Sequence, residues 1–162
     1  ATIVYEGRAV PELELPDRLI DVLPLPLPTL PVRRFELRSG ETPAGPAFQI
    51  NGRDFDHHRI ETRVTLGTTE DWEVANADQM DHPFHLHVNS FQILGPDGEP
   101  EAAWRDMMNV PGGTRRRFRV HFTDYPGRTV YHCHRVAHGD LGMMAVIEME
   151  RPPLVPPRMR AP

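Results

Sequence analysis

The chain has 162 residues, of which 39% are apolar and 7% aromatic, and its formal net charge is −5. That length suits one domain with a modest core. The acidic balance offers no attraction to nucleic acid or an anionic membrane, and no apolar run approaches the length of a membrane span.

Residues 1–31 are punctuated by proline, and the run LPLPLPTLP from Leu23 to Pro31 cannot join a sheet interior, because proline brings no N–H to the ladder. An extended connector is expected there. Short β-branched and aromatic runs then predict strands at Val32–Arg38, Phe48–Ile50, Glu61–Leu66, Trp72–Ala75, Phe84–Leu94, Arg115–Phe122, Arg128–Cys133 and Met143–Glu150. Turn chemistry separates them at Asn51-Gly52, Gly95-Pro96-Asp97-Gly98, Pro111-Gly112-Gly113 and Tyr125-Pro126-Gly127. Thr114–Phe122 carries four arginines, but Phe118, Val120 and Phe122 alternate with polar residues, so the arginines read as a solvated strand face. The tail from Arg151 to Pro162, with five prolines, is expected to be irregular. Many short strands and no long helical period predict an all-β fold over residues 32–150, a Greek-key sandwich or barrel.

The chemistry concentrates in Tyr131-His132-Cys133-His134, with His138 and Met143 following at intervals of five from the cysteine. Two imidazoles, one thiolate and a long axial thioether are the donors of a mononuclear blue copper. Cys133, His138 and Met143 supply three of them, and His82 in the run Asp81-His82-Pro83-Phe84-His85-Leu86-His87 is the candidate fourth. Side chains alternate along an extended strand, so if Cys133 faces one copper, His132 and His134 face away from it. By the same rule His85 and His87 share a face, while Phe84, Leu86 and Val88 occupy the other. Two His-x-His pairs imply a second metal site. A lone cysteine is usually a small buried hydrophobe, but chance does not readily bracket it with histidines and follow it with His and Met at this spacing. His57, His58 and His121 have no such partners and are read as structural or solvent-facing.

HPFHLH together with YHCHRVAHGDLGMM resembles the C-terminal cupredoxin domain of the multicopper oxidases, a family of laccases, bacterial cuprous oxidases and bilirubin oxidases. The likeness runs from about Phe48 to Met149 and takes in FQINGRDFD, LGTTEDWEVAN, WRDMMNVP and DYPGRTVYHCH. The resemblance implies a cupredoxin-like fold in which His82, Cys133, His138 and Met143 hold a type-1 copper. It makes His85 a type-2 ligand and His87, His132 and His134 type-3 ligands, this domain's half of a trinuclear cluster. An electron taken from a phenolic or Cu(I)-type substrate would leave through Cys133 to His132 and His134, about 10 Å away by backbone and side-chain reach, to reduce O2 to water. Met143, where many fungal laccases have Leu or Phe, makes the chain look like a bacterial relative of lower potential.

The family's cluster takes eight histidines, and this chain offers four of them. The resemblance therefore implies an N-terminal domain that supplies the rest, a chain inactive in O2 reduction by itself, and a periplasmic or secreted location. Two departures stand out: the Glu that follows the second type-1 histidine in many bacterial relatives is Gly139, with Asp140 next as a substitute proton donor, and the Gly usual after HPFHLH is Val88. Upstream, Asp78, Met80 and Asp81 resemble the stretch of cuprous oxidases that holds substrate copper, and are candidate residues of a substrate rim. Other readings are a stand-alone blue-copper electron carrier, which has no use for the paired histidines; a copper nitrite reductase, whose Cys-to-His loop is longer; and a metal-free domain with relict motifs.

Overall fold

The computed structural model describes residues 19–43 and 45–153, with Val4, Glu6, Gly7, Glu14, Pro16 and Asp17 ahead of them. Parts of the expected connector and most of the expected tail lie outside the described residues. Ten strands and one short helix follow in order: β1 (Arg33–Thr42), β2 (Gly45–Ile50), β3 (Ile60–Thr65), β4 (Thr69–Asn76), β5 (His82–Leu86), β6 (Phe91–Leu94), β7 (Met107–Val110), β8 (Arg115–His121), β9 (Gly127–Cys133), α1 (Val136–Asp140) and β10 (Met144–Glu150). They form two five-stranded sheets, ordered β2-β1-β4-β8-β6 and β3-β10-β9-β5-β7. β1 pairs with β4, and β3 with β10, in parallel; the other ladders are antiparallel.

The two sheets face each other across an aromatic core. Phe35, Trp72 and Phe118 come from the first sheet and Phe84, Tyr131 and Ile147 from the second, all essentially buried. Ring contacts bridge the layers, with Phe35 and Tyr131 centred 5.1 Å apart and Phe84 and Phe118 5.8 Å apart. Each such side chain withdraws enough apolar area to stabilise the fold by about 1.5–3 kcal/mol. Tyr131 keeps its hydroxyl bonded to Thr62 Oγ1 at 3.0 Å, which meets the need of its one polar atom.

The stretch expected as one strand over Phe84–Leu94 is two, and they belong to different sheets. The chain turns at Val88, whose φ of 70° lies in the left-handed region, so Val88 leaves the Phe84–Leu86 face and is 56% exposed. That conformation suits glycine and is unfavourable for a β-branched residue, which gives the glycine departure a backbone meaning. β7 escaped sequence reading because four residues with one asparagine carry little periodicity; pairing of His82 with Val110 and Phe84 with Met108 creates it. The arginine face is not wholly solvated either. Arg119 is buried and bonds Asp71 through two contacts of 2.7 and 3.0 Å, because β4 places Asp71 directly opposite.

The proline run keeps its N–H groups only at its non-proline residues, and one buried side chain bonds one of them and a nearby carbonyl. Gln92 of β6 accepts from Leu25 N at 2.8 Å and donates to the Leu23 carbonyl at 3.0 Å. The Gln92 amide thus fastens a connector that cannot form a ladder to an edge strand.

Candidate metal centre

β5 and β9 run antiparallel with Phe84 opposite Cys133, His85 opposite His132 and Leu86 opposite Tyr131. The pleat sends Phe84, Leu86, Tyr131 and Cys133 into the core, and leaves His85, His87 and His132 half-buried and His134 exposed on the other face. One backbone register therefore divides the donors into two groups.

The inner group consists of His82, at the start of β5, Cys133, at the end of β9, and His138, in α1. All three are buried. The Cys133 Sγ lies 3.6 Å from His82 Nδ1 and 3.6 Å from His138 Nδ1, and the two nitrogens are 3.1 Å apart. A triangle with those sides has a circumradius of about 2.0 Å, the length of a transition-metal bond to an imidazole nitrogen. Met143 is fully buried, and its backbone closes the loop: Cys133 N donates to the Met143 carbonyl at 3.0 Å, and Met143 N donates to that of His138 at 2.9 Å. Burial pushes the Cys133 thiol up and the His138 imidazole down, with the neighbouring His82 and Arg135 adding to the latter. Both effects favour the uncharged forms of these two groups.

Asp78 sets the orientation of His82. Its carboxylate accepts from Ser39 N and Oγ at 2.7–2.9 Å and from His82 Nε2 at 2.7 Å. Burial alone would raise the Asp78 acid, yet the Ser39 bonds and then His82 outweigh it and hold the group below the usual carboxylate range. Because a carboxylate only accepts, the His82 proton sits on Nε2 and the Nδ1 lone pair faces Cys133.

The outer group is built by the same logic. His85 Nδ1 donates to the Asp106 carbonyl and His132 Nδ1 to that of Cys133, each at 2.8 Å, so both present a bare Nε2. Ligand atoms of His85, His87 and His132 fall within 4.8 Å of one another, with His87 Nε2 2.9 Å from His132 Nε2. His134 stands beside them, its ring 5.3 Å from that of His85 and 5.7 Å from that of His132. Burial, then the adjacent imidazoles, depresses His87; burial likewise lowers His132.

Residues 26–152 match the multicopper oxidase family. The chain belongs to the multicopper oxidases. This multicopper oxidase sequence is 35% identical over 157 residues to the bilirubin oxidase of Albifimbria verrucaria, an alignment covering 88% of this chain and 26% of that protein. It is 33% identical over 110 residues to a multicopper oxidase of Staphylococcus aureus, covering 63% of this chain and 24% of the relative. A solved multicopper oxidase of Pediococcus acidilactici superposes with a TM-score of 0.73 at 32% identity, over 89% of this chain and 32% of its own. The Campylobacter jejuni multicopper oxidase, described as a metallo-oxidase, gives 0.70 at 30%, over 86% and 34%. The chain thus spans about a quarter of those curated relatives and about a third of the solved ones. The two sheets of this multicopper oxidase stretch are the all-β, cupredoxin-like fold of such neighbours.

Within this multicopper oxidase stretch the expected substrate rim divides. Met80 is 42% exposed, and Asp81 lies at the surface, held ionised by donations from Asn109 Nδ2 and Gly112 N. Asp78 instead turns inward to His82, its side chain 9% exposed, because the Ser39 N–H and hydroxyl draw it there. Sequence reading missed Ser39, Asp106 and Phe48, whose ring stacks on His138 at 4.0 Å and 11°. Their contacts cross strands and leave no local signal. Asp140 lines a pocket of about 230 Å3 with His132, His134 and Gly139. Of the histidines set aside, His121 bonds Thr69 through Nδ1, and the exposed rings of His57 and His58 pair with each other.

Proposed function

We propose that His82, Cys133 and His138, with Met143 as a weak thioether donor, would hold a type-1 copper, and that His85, His87, His132 and His134 are this stretch's share of a trinuclear copper cluster. The observation that carries the reading is the triangle of two imidazole nitrogens and one sulfur around a common point about 2.0 Å from each. Soft thiolate, two imidazoles and a thioether are the donor set that suits a blue copper rather than a hard cation. Bound copper would supply one-electron oxidation of a substrate at the first site and four-electron reduction of O2 to water at the second.

The chain's own residues prepare both sites. Asp78 fixes the His82 tautomer, the Asp106 and Cys133 carbonyls fix those of His85 and His132, and Phe48 packs His138 in place. Cys133 is joined through the backbone to His132 and His134, which provides a covalent path from the inner group to the outer one. The cluster's remaining histidines would come from an N-terminal domain, so this chain by itself would not reduce O2 at enzymatic rates. Reducing substrates would be phenols or a metal ion such as Cu(I), and a periplasmic or secreted location accompanies this reading. A stand-alone blue-copper carrier is disfavoured by the outer histidines, which such a protein does not need.

Copper titration tests the reading. One tight equivalent should bring a visible band near about 600 nm, further copper should bind weakly, and Cys133→Ser should abolish the band. A band that survives Cys133→Ser, or none at full copper occupancy, would refute the type-1 assignment. Rapid O2 uptake with a phenol by the chain alone would refute its dependence on another domain.

A further inference from the structure

One cross-strand pair of the β1–β2 hairpin, Ser39 opposite Phe48, reaches both imidazoles of the inner group. Ser39 holds Asp78, which holds His82, and Phe48 lies flat on His138. His82 is fully buried and His138 is 6% exposed, and the Phe48 ring stacks on His138 at 4.0 Å. Past the core, the hairpin opens a groove of about 340 Å3, lined by Ser39, Gly40 and Glu41 of β1, Pro46, Ala47 and Phe48 of β2, and Met80. Glu41 is the only charged residue in that lining; it is exposed and has no ion-pair partner among the described residues. An aromatic floor, a thioether at the edge and one free carboxylate form a surface complementary to a flat cation.

We propose that Glu41 makes this groove select cationic aromatic electron donors over anionic ones, with Phe48 as the contact between donor and His138. The inference rests on the type-1 reading above, and its tests separate the two. In the metal-free protein, benzyltrimethylammonium should shift the NMR signals of the Met80 methyl, the Phe48 ring and the hairpin amides, whereas benzenesulfonate should leave them in place. Glu41→Gln and Phe48→Leu should each weaken that binding about fivefold.

In the copper-loaded protein, mixed without oxygen at low ionic strength, each ferrocene donor gives up one electron to the site and leaves as ferricenium, bleaching the blue band. Dimethylaminomethylferrocene, a cation, should bleach it about fivefold faster than ferrocenecarboxylate, an anion, after allowance for driving force. Glu41→Lys, a surface change that leaves the core untouched, should reverse the order with the band position unchanged. Shifts scattered away from the hairpin, or a charge preference that Glu41→Lys leaves unaltered, would overturn the proposal. Absence of the blue band would overturn the copper reading instead, with the metal-free titration still deciding the groove.

Discussion

Replacing Asp78 by Asn changes one atom of the site and should weaken copper binding about 10- to 100-fold. The carboxylate has four contacts of 2.7–2.9 Å, three from Ser39 and one from His82 Nε2. An asparagine oxygen can serve only one side. If it stays with Ser39, its NH2 faces Nε2, which must then give up its hydrogen; the imidazole proton moves to Nδ1, the atom proposed to bind the metal. If it serves His82, two donors oppose each other at Ser39. A charge-assisted hydrogen bond of this kind is worth about 1.5–3 kcal/mol, and about 1.4 kcal/mol is tenfold in affinity, so the energetic and empirical ranges agree. Competition against a chelator of known affinity, read through the blue band, measures the loss, while urea unfolding of the metal-free variant reports the Ser39 contribution separately. Affinity within twofold of the parent would show that Asp78 does not set the His82 tautomer.

Three further outcomes concern the scaffold. Burial, opposed only in part by the Thr62 bond, pushes the Tyr131 phenol up to about 12; the folded protein therefore keeps this proton when the unfolded chain, near 10, has lost it. Stability should be complete below about pH 10 and fall by roughly 2–3 kcal/mol as pH rises through 12, a slope that Tyr131→Phe removes in urea titrations across that range. Asp71→Ala strands the Arg119 guanidinium, whose side chain is 7% exposed, and should cost about 3–5 kcal/mol in urea unfolding, whereas replacing both partners with apolar residues should recover most of it. Gly112→Ala would drive a Cβ into the Gln79 carbonyl; a cost of about 1–3 kcal/mol and a weakened blue band, from displacement of the adjoining Asp78–Asp81 segment, are expected. An unchanged midpoint in the last two variants would contradict the packing described for them.

Ladder periodicity explains why so much of the site was legible. Strand alternation alone puts Cys133 on the face opposite His132 and His134, and places His85 and His87 together, because a side-chain period of two follows from backbone geometry wherever a strand forms. Turns such as Asn51-Gly52, both with positive φ, were equally legible, since few residues tolerate that conformation. Single-residue events were not. Val88 reads as one more apolar position in an alternating run, and only the passage of the chain from one sheet to the other imposes its φ of 70°.

The division between sequence and tertiary structure follows the range of the forces involved. Donor identity, the grouping of Cys133, His138 and Met143 in one loop, and the two-faced histidine pattern are local, and the amino-acid order determines them. Which carboxylate orients His82, which ring covers His138 and which carbonyls fix His85 and His132 depend on strand pairing. Ser39 and Asp78 are 39 residues apart, as near as they are only because β1 lies beside β4. Hydrogen bonds and ring stacking act over a few ångströms, so these partners exist only once the sheets have brought distant segments into register.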